Sequence, residues 1–181
     1  MPIRPATPAD IPAILAIEHL PQYRAFVGRW DAERHHAALT GPDARYFVME
    51  SDPGESASGA SESGEKAIGN IDAYAILRGF AESPLSNIEL KRIAVRTPER
   101  GLGRKFLSDL IRIVFDEHHA HRLFLDVFES NTRARHLYES LGFVYEGTLR
   151  EAALVDGKYH SLRLMSLLDR EYQATKPKAD H

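Results

Sequence analysis

The segment Asn131-Thr-Arg-Ala-Arg-His-Leu-Tyr-Glu-Ser-Leu-Gly-Phe143 carries the most information about the fold of this chain. Its pattern predicts a short helix over residues 132–140, which Gly142 ends. Asn131 and Tyr138 are seven residues apart, so on a helix they differ by about 20° in direction and lie about 10 Å apart along the axis. An amide and a phenol can therefore face one cleft.

Length and composition indicate one globular domain. The chain has 181 residues, of which 43% are hydrophobic and 27% charged, a balance typical of a folded soluble protein. We expect a single domain over residues 1–172 and a disordered tail over 173–181. Residues 51–65 consist of Ser, Gly, Glu, Asp, Ala and Pro, so they predict a mobile hairpin loop.

Several classes of protein are disfavoured by composition. The formal charge of −3 argues against a nucleic-acid binder, which normally carries a basic surface. No apolar run approaches the ~20 residues that span a bilayer, so no membrane segment is expected. The N-terminal residues lack the apolar core of a secretory signal and the chain has no cysteine, so a cytoplasmic location is the default expectation. Without cysteine, an acyl-enzyme formed through a thiolate is excluded.

Hydrophobic periodicity predicts the order of the secondary-structure elements. Leu90 and Ile93 break the alternation of their strand, and a bulge at Lys91-Arg92 would restore it. The order of elements is that of a mixed α/β sheet domain. The predicted elements are a strand at 3–6, helices at 8–19 and from Phe26 to about 40, strands at 45–50, 66–79 and 88–95, a helix at 102–117, a strand at 122–128, the helix at 132–140, and strands at 143–154 and 158–168.

The stretch Arg100-Gly-Leu-Gly-Arg-Lys105 lies where a loop enters the third predicted helix. Free amides and the positive end of the helix dipole can bind a pyrophosphate there, and Gly101 and Gly103 let a phosphate approach the main chain. Arg104 and Lys105 can add charge-assisted contacts. A tight turn into the helix without any ligand would explain the two glycines equally well. The P-loop and dinucleotide-binding patterns are absent.

Three ordered motifs must be considered together: Glu89-Leu-Lys-Arg-Ile-Ala-Val95, Arg100-Gly-Leu-Gly-Arg-Lys-Phe-Leu107, and the segment from Asn131 to Phe143. They resemble the fourth strand, the pyrophosphate loop and the cofactor-side helix of the GNAT superfamily of acetyl-coenzyme A-dependent N-acetyltransferases. The resemblance extends over about residues 3–170. Gly147-Thr-Leu-Arg150 is also similar to the branch that contains ribosomal-protein N-terminal acetyltransferases.

The resemblance implies a GNAT-like fold, with a central mixed, mostly antiparallel sheet flanked by about four helices. It also implies acetyl-CoA as cosubstrate and no metal. The bulged fourth strand would offer main-chain groups of Ile93 and Val95 to the pantetheine arm. Asn131 can cap its helix or hold the pantetheine or the acceptor, and the resemblance allows both kinds of role. The implied cofactor-binding residues are Ile93, Ala94, Val95, Arg100, Gly101, Leu102, Gly103, Arg104, Lys105, Asn131 and Tyr138.

The candidate catalytic residues are Tyr138 and Glu89. Tyr138 matches the family's tyrosine beside the cofactor sulfur, where its O–H could protonate the leaving thiolate. Considered alone, it would be interpreted as a buried ring of an amphipathic helix. Glu89 is the candidate general base, directly or through a water, and the alternative is an ion pair with Lys91 or Arg92. Three competitors for the role of base are Glu129, Glu151 and a bare water.

We therefore expect direct transfer of an acetyl group to a primary amine, with a protein or peptide N-terminus as acceptor by resemblance to the branch. A small-molecule amine (polyamine, amino sugar or antibiotic) is the alternative acceptor. A non-catalytic acyl-CoA-binding regulatory domain is a further alternative, because Pro98 and Glu99 stand where the family carries Gln or Arg and often Gly. The histidines of Glu117-His-His-Ala-His121 do not fit a zinc motif, and a favourable interaction with a helix C-terminus explains them. A monomer and a homodimer both remain open.

Overall fold

The computed structural model describes residues 1–26, 30–51, 71–81, 86–98 and 101–176. In this part of the chain seven strands form one sheet in the order β1-β2-β3-β4-β5-β7-β6. Every neighbouring pair is antiparallel except β4 and β5. The predicted mixed, mostly antiparallel sheet is confirmed. The strands are β1 (Ile3–Pro5), β2 (Arg45–Glu50), β3 (Ile71–Arg78), β4 (Asn87–Val95), β5 (Arg122–Phe128), β6 (Val144–Val155) and β7 (Lys158–Leu168).

Five α-helices accompany the sheet in the described ranges, one more than the sequence predicts. The third of them continues into a π-helical turn, Ile113–Glu117, so the helix predicted over residues 102–117 is helical along its whole length. Short 3₁₀ turns lie at Pro8–Asp10 and Pro21–Tyr23. The α-helices are α1 (Ile11–Glu18), α2 (Ala32–Thr40), α3 (Leu102–Arg112), α4 (Thr132–Ser140) and α5 (Asp169–Thr175).

Apolar clusters lie on both faces of the sheet. On one face, the stripe of α3 that contains Phe106 and Leu110 packs in one cluster with Leu77 of β3. On the other face, Ile14 of α1 belongs to the cluster that contains Ile76 of β3. Because β3 is covered from both sides, nearly all of its residues are buried, and this explains why its sequence is an almost continuous apolar run.

The strands β4 and β5 separate after a short parallel pairing, and this separation creates the cleft described below. Their register covers only residues 87–89 of β4 and 122–124 of β5. On the opposite edge of β4, Ile76 pairs with Arg92 and Leu77 with Leu90, so Lys91 is an extra residue. The bulge predicted at Lys91-Arg92 is therefore confirmed. It bends the strand where pairing with β5 ends.

The second helix begins later than the sequence predicts. It starts at Ala32, where the Asp31 carboxylate accepts the Arg34 amide at 2.8 Å, a strong N-cap. Phe26 lies before this cap, in a turn that follows Pro21–Tyr23. The prediction of a helix from Phe26 was wrong because the cap, rather than the first aromatic residue, sets the start.

The C-terminal tail was also predicted to begin too early, at residue 173. Helix α5 extends to Thr175, because Tyr172 stacks on Phe115 with a centroid distance of 4.9 Å and Lys176 Nζ lies 2.6 Å from Asp116 Oδ1. Residues 177–181 lie outside the described residues. So does the predicted loop at 51–65, apart from Ser51, together with residues 66–70 of the strand predicted at 66–79.

The helices of the described ranges include none that is long and apolar enough to cross a membrane. Within the same ranges, no group of three or more His, Asp or Glu residues has a geometry that could hold a metal ion.

Candidate active site

A cleft of about 780 Å³ opens where β4 and β5 separate. Its size falls in the range of small-molecule and cofactor sites. Residues from the N-terminus of α3, from α4, from the segment between α1 and α2, and from the β6–β7 hairpin complete its walls. The lining residues are Gln22, Tyr23, Phe26, Leu90, Lys91, Arg92, Ile93, Ala94, Val95, Pro98, Gly101, Gly103, Arg104, Asp126, Val127, Phe128, Asn131, Arg133, Ala134, Leu137, Tyr138, Ala152, Ala153 and Leu162.

One end of the cleft is suited to an anion. Gly101 caps α3 with a φ of 70°, a left-handed conformation that favours glycine, and a Cβ there would meet no atom within 4 Å. The first amides of α3 are left without helical partners, so they can bind a phosphate. Arg104 and Arg133 line the same cleft. Arg104 donates to Ser140 Oγ at 2.7 Å, and Arg133 donates to the Pro98 carbonyl.

Two of the residues predicted to bind the phosphates, Lys105 and Leu102, are not among the lining residues. Lys105 pairs with Asp109 at 2.7 Å on the surface of α3. The side chain of Leu102 is buried in the apolar core, although its amide belongs to the first turn of α3. Arg100 lies outside the described residues. Arg133, by contrast, was missed because no local pattern indicates that α4 reaches back to residue 98.

The edge of β4 supplies main-chain groups to the cleft. Ile93, Ala94 and Val95 all line it, as the resemblance implies. Both main-chain groups of Val95 are bonded to one hydroxyl: its N–H donates to Tyr23 Oη at 2.8 Å, and Tyr23 O–H donates to its carbonyl at 2.8 Å. The sequence gives no sign of this contact, which joins residues 72 apart.

Asn131 and Tyr138 both line the cleft, as their spacing on one helix predicts. Asn131 is the N-cap of α4, since its Oδ1 accepts the Ala134 amide at 3.2 Å. The ring of Tyr138 is 7% exposed and lies 5.7 Å from that of Phe143. Burial, together with the nearby Asp126 and Tyr23, raises the pKa of Tyr138, so its phenol stays protonated. Its hydroxyl has no hydrogen-bond partner among the residues that the structure describes.

Asp126 is the carboxylate that lines the cleft, and the sequence analysis missed it. Water reaches it through the cleft opening, but the surrounding walls desolvate it. This desolvation raises the pKa of Asp126, Lys91 lowers it, and Glu89 raises it further. Its signal in the sequence was a lone carboxylate within the otherwise apolar strand Leu123-Phe-Leu-Asp-Val-Phe128.

Glu89 lies near the cleft but is not among its lining residues. Its Oε1 accepts from Lys91 Nζ at 3.1 Å. This is the ion pair that was considered as the alternative to a catalytic role. The structure therefore places Asp126, rather than Glu89, in the cleft lining together with Tyr138.

A buried polar cluster lies behind β4 and holds Arg92, which also lines the cleft. Glu18 is fully buried and accepts from Arg92 Nη1 and from Tyr74 O–H, both at 2.6 Å. His35 Nε2 lies 3.3 Å from the same carboxylate oxygen. The Arg92 guanidinium packs 4.3 Å from the centroid of the Trp30 ring. Because Arg92 belongs to the bulge, these contacts fix the bend of β4.

The family to which the chain belongs follows from comparison with known proteins. The profile of the acetyltransferase (GNAT) family matches residues 15–143, well over half of the chain. The chain therefore belongs to the acetyltransferase (GNAT) family, and the resemblance noted in its sequence is confirmed.

Individual relatives are more distant. The chain is 32% identical over 80 residues to a spermidine N(1)-acetyltransferase of Vibrio cholerae, covering 44% of this chain and 46% of that one. It is 34% identical over 84 residues to a putative ribosomal N-acetyltransferase of Bacillus subtilis, covering 46% of each. The chain thus matches less than half the length of these curated relatives.

A solved structure extends the likeness to nearly the whole chain. It is the spermidine N-acetyltransferase from Vibrio cholerae in complex with CoA and spermine. The TM-score is 0.75 at 21% identity, covering 95% of this chain and 97% of that one. At this identity the likeness shows a shared fold.

Proposed function

We propose that this protein transfers the acetyl group of acetyl-CoA directly to a primary amine. One observation carries the proposal: a single cleft is lined by the N-terminus of α3, the edge of β4, Tyr138 and Asp126. In that order, they supply an anion site, a strand edge that can bond amides, a proton donor and a proton acceptor. Together they match the requirements of acetyl transfer from a thioester to an amine.

The chain offers a contact for each part of acetyl-CoA. The pyrophosphate would lie against the first amides of α3 and the guanidinium groups of Arg104 and Arg133. Arg133 donates a hydrogen bond to the carbonyl of Pro98. It thereby brings a positive charge to the position where the family carries Gln or Arg and this chain has proline. The two amides of pantetheine would pair with the stretch of the β4 edge that does not pair with β5, as an added strand does.

The reaction removes two protons from the acceptor ammonium and supplies one to the departing sulfur. Acetyl-CoA provides the activated carbonyl carbon. Asp126 takes a proton from the acceptor ammonium, because a carboxylate with a raised pKa is a better match for an amine than an ordinary aspartate. The amine nitrogen then bonds to the carbonyl carbon and loses its second proton to solvent, and the carbon–sulfur bond breaks. Tyr138 supplies the proton to the departing sulfur and recovers it from solvent.

We propose a small-molecule amine as the acceptor, which is the alternative acceptor considered in the sequence analysis. The spermidine N(1)-acetyltransferase among the relatives supports this choice. A peptide N-terminus is the second candidate, because a putative ribosomal N-acetyltransferase matches a similar share of the chain. In either case the acceptor presents one ammonium to Asp126, the single carboxylate in the described lining.

Release of free thiol from acetyl-CoA tests the proposal. Purified protein would be incubated with spermidine, spermine, an amino sugar, and peptides with a free N-terminus, and acetylation of the acceptor would be checked by mass spectrometry. The same peptides with a blocked N-terminus are the matched control. We expect thiol release with at least one small amine.

A different result would support another function. Release with free but not blocked peptides, and with no small amine, would favour the N-terminal acceptor. Binding of acetyl-CoA without thiol release for any acceptor would contradict the enzyme proposal and favour a non-catalytic acyl-CoA-binding domain.

A further inference from the structure

The hydroxyl of Tyr23 makes an unusual pair of contacts with β4. It accepts the Val95 N–H and donates to the Val95 carbonyl, both at 2.8 Å. These are the two bonds by which a neighbouring strand engages one residue of an antiparallel pair. A side chain from the segment between α1 and α2 therefore satisfies the edge of β4 in place of a strand.

Other residues of the same segment also contact the rim of the cleft. Gln22 Nε2 donates to the Arg96 carbonyl at 3.4 Å. The ring of Phe26 meets that of Phe128 edge-on with a centroid distance of 5.8 Å. Residues 22–26 thus bridge from the end of β4 to the end of β5, across the opening where the two strands separate.

The proposed function requires the same main-chain groups for another partner. A pantetheine amide that pairs with the edge of β4 needs a free N–H or carbonyl, and each of these groups on Val95 is already bonded to Tyr23. The N–H of Val95 has one hydrogen and the Tyr23 hydroxyl lies directly on it. Both partners cannot pair with Val95 in the same way at once.

We infer that Tyr23 competes with the pantetheine arm for Val95, and that cofactor binding displaces residues 22–26 from the cleft. The inference rests on the proposed function. Displacement breaks the bridge from Gln22 and Phe26, so it opens the side of the cleft lined by Phe128.

Binding of CoA to a Tyr23→Phe variant tests the inference. Phenylalanine keeps the ring and removes the hydroxyl that competes for Val95. We expect CoA to bind about three- to tenfold more tightly, the range for loss of one or two competing hydrogen bonds. Isothermal titration calorimetry measures the Kd without any acceptor. Tyr145→Phe is the matched control, because the Tyr145 hydroxyl bonds Thr148 and lies outside the cleft lining.

The single tryptophan provides a second readout. Trp30 follows the displaced segment and packs between the guanidinium groups of Arg34 and Arg92, 4.4 Å and 4.3 Å from its ring centroid. We expect CoA to change the fluorescence of Trp30 in the wild type, with a smaller change in Tyr23→Phe, whose segment is held by fewer contacts before CoA binds.

The outcomes separate this inference from the proposed function. If the wild type binds CoA and Tyr23→Phe binds it equally well or more weakly, the competition is contradicted while the proposed function stands. If neither protein binds CoA, the proposed function fails and the inference fails with it. A purely structural role for Tyr23 would not tighten binding.

Discussion

The two walls of the cleft are built in different ways. One wall comes from short stretches of sequence, residues 101–104 at the start of α3 and residues 131–138 along α4. The other wall brings together Tyr23 and Phe26, Asp126 of β5, and Ala153 and Leu162 of the β6–β7 hairpin. Its geometry depends on contacts between residues far apart in the chain. In the proposed function, local motifs supply most of the cofactor contacts, whereas the wall proposed for the acceptor is made by tertiary packing.

The largest expected effect concerns the buried polar cluster that holds Arg92 behind β4. Glu18→Gln keeps the shape of the side chain but leaves the Arg92 guanidinium buried without its counter-charge. We expect the free energy of unfolding to fall by about 3–5 kcal/mol, the cost of breaking a buried ion pair. Urea unfolding measures it. Glu129→Gln is the control, since Glu129 is exposed and lies 3.4 Å from Arg163; an equal loss in both variants would contradict the role of the cluster.

The same carboxylate predicts a pH dependence of stability. Burial opposes ionisation of Glu18, but His35, the Tyr74 hydroxyl and the Arg92 charge together hold the pKa of Glu18 below its ordinary value of 4.5. A lowered folded-state pKa stabilises the protein above the ordinary value, and this contribution is lost as pH falls through the folded-state pKa. We therefore expect the difference between wild type and Glu18→Gln to shrink below about pH 4.5.

The next largest effect concerns Tyr138, which lies on the wall formed by α3 and α4 and is the proposed donor of a proton to sulfur. Tyr138→Phe should lower kcat about 100-fold, at the lower end of the range for loss of a general acid. The Kd for CoA should change little, because the ring still fills its place beside Phe143. Thiol release and calorimetry on the same preparation separate the two effects. An unchanged kcat would remove Tyr138 as the acid.

A smaller effect is expected for the charge that α4 contributes to the cleft. Arg133→Gln should weaken CoA binding about tenfold, the value of a charge-assisted hydrogen bond. The loss should diminish at high salt, which screens charges near the surface. Arg135→Gln is the control, because Arg135 bonds the Glu129 carbonyl and is not in the cleft lining. Equal affinities for the two variants would contradict a cofactor contact for Arg133.

The sequence predicted those features that depend on neighbouring residues. The bulge at Lys91, the entry of α3 at Gly101 and the capped helix after Asn131 all follow from local periodicity and turn chemistry. The contact of Tyr23 with Val95 and the contact of Arg133 with Pro98 join residues 72 and 35 apart. Such contacts depend on how the elements pack. No spacing rule predicts them.

The choice of base shows the same limit. Glu89 was selected because it lies on the motif strand, but its carboxylate pairs with Lys91. Asp126 lies on the neighbouring strand, and it reaches the cleft only because β4 and β5 separate after three paired residues. Packing rather than motif membership therefore decides which carboxylate lines the cleft with Tyr138.

The pH dependence of kcat/KM for thiol release, in paired variants of these two carboxylates, tests the central claim most directly. Asp126→Asn should lower the rate about 100-fold or more and remove the acid limb of the profile. In the wild type this limb should lie above 3.8, the ordinary pKa of aspartate, because the pKa of Asp126 is raised. Glu89→Gln should retain the rate and the limb, with the limb moved to lower pH because Glu89 no longer raises the pKa of Asp126. The account is contradicted if Asp126→Asn keeps the wild-type profile, or if Glu89→Gln is the variant that loses it.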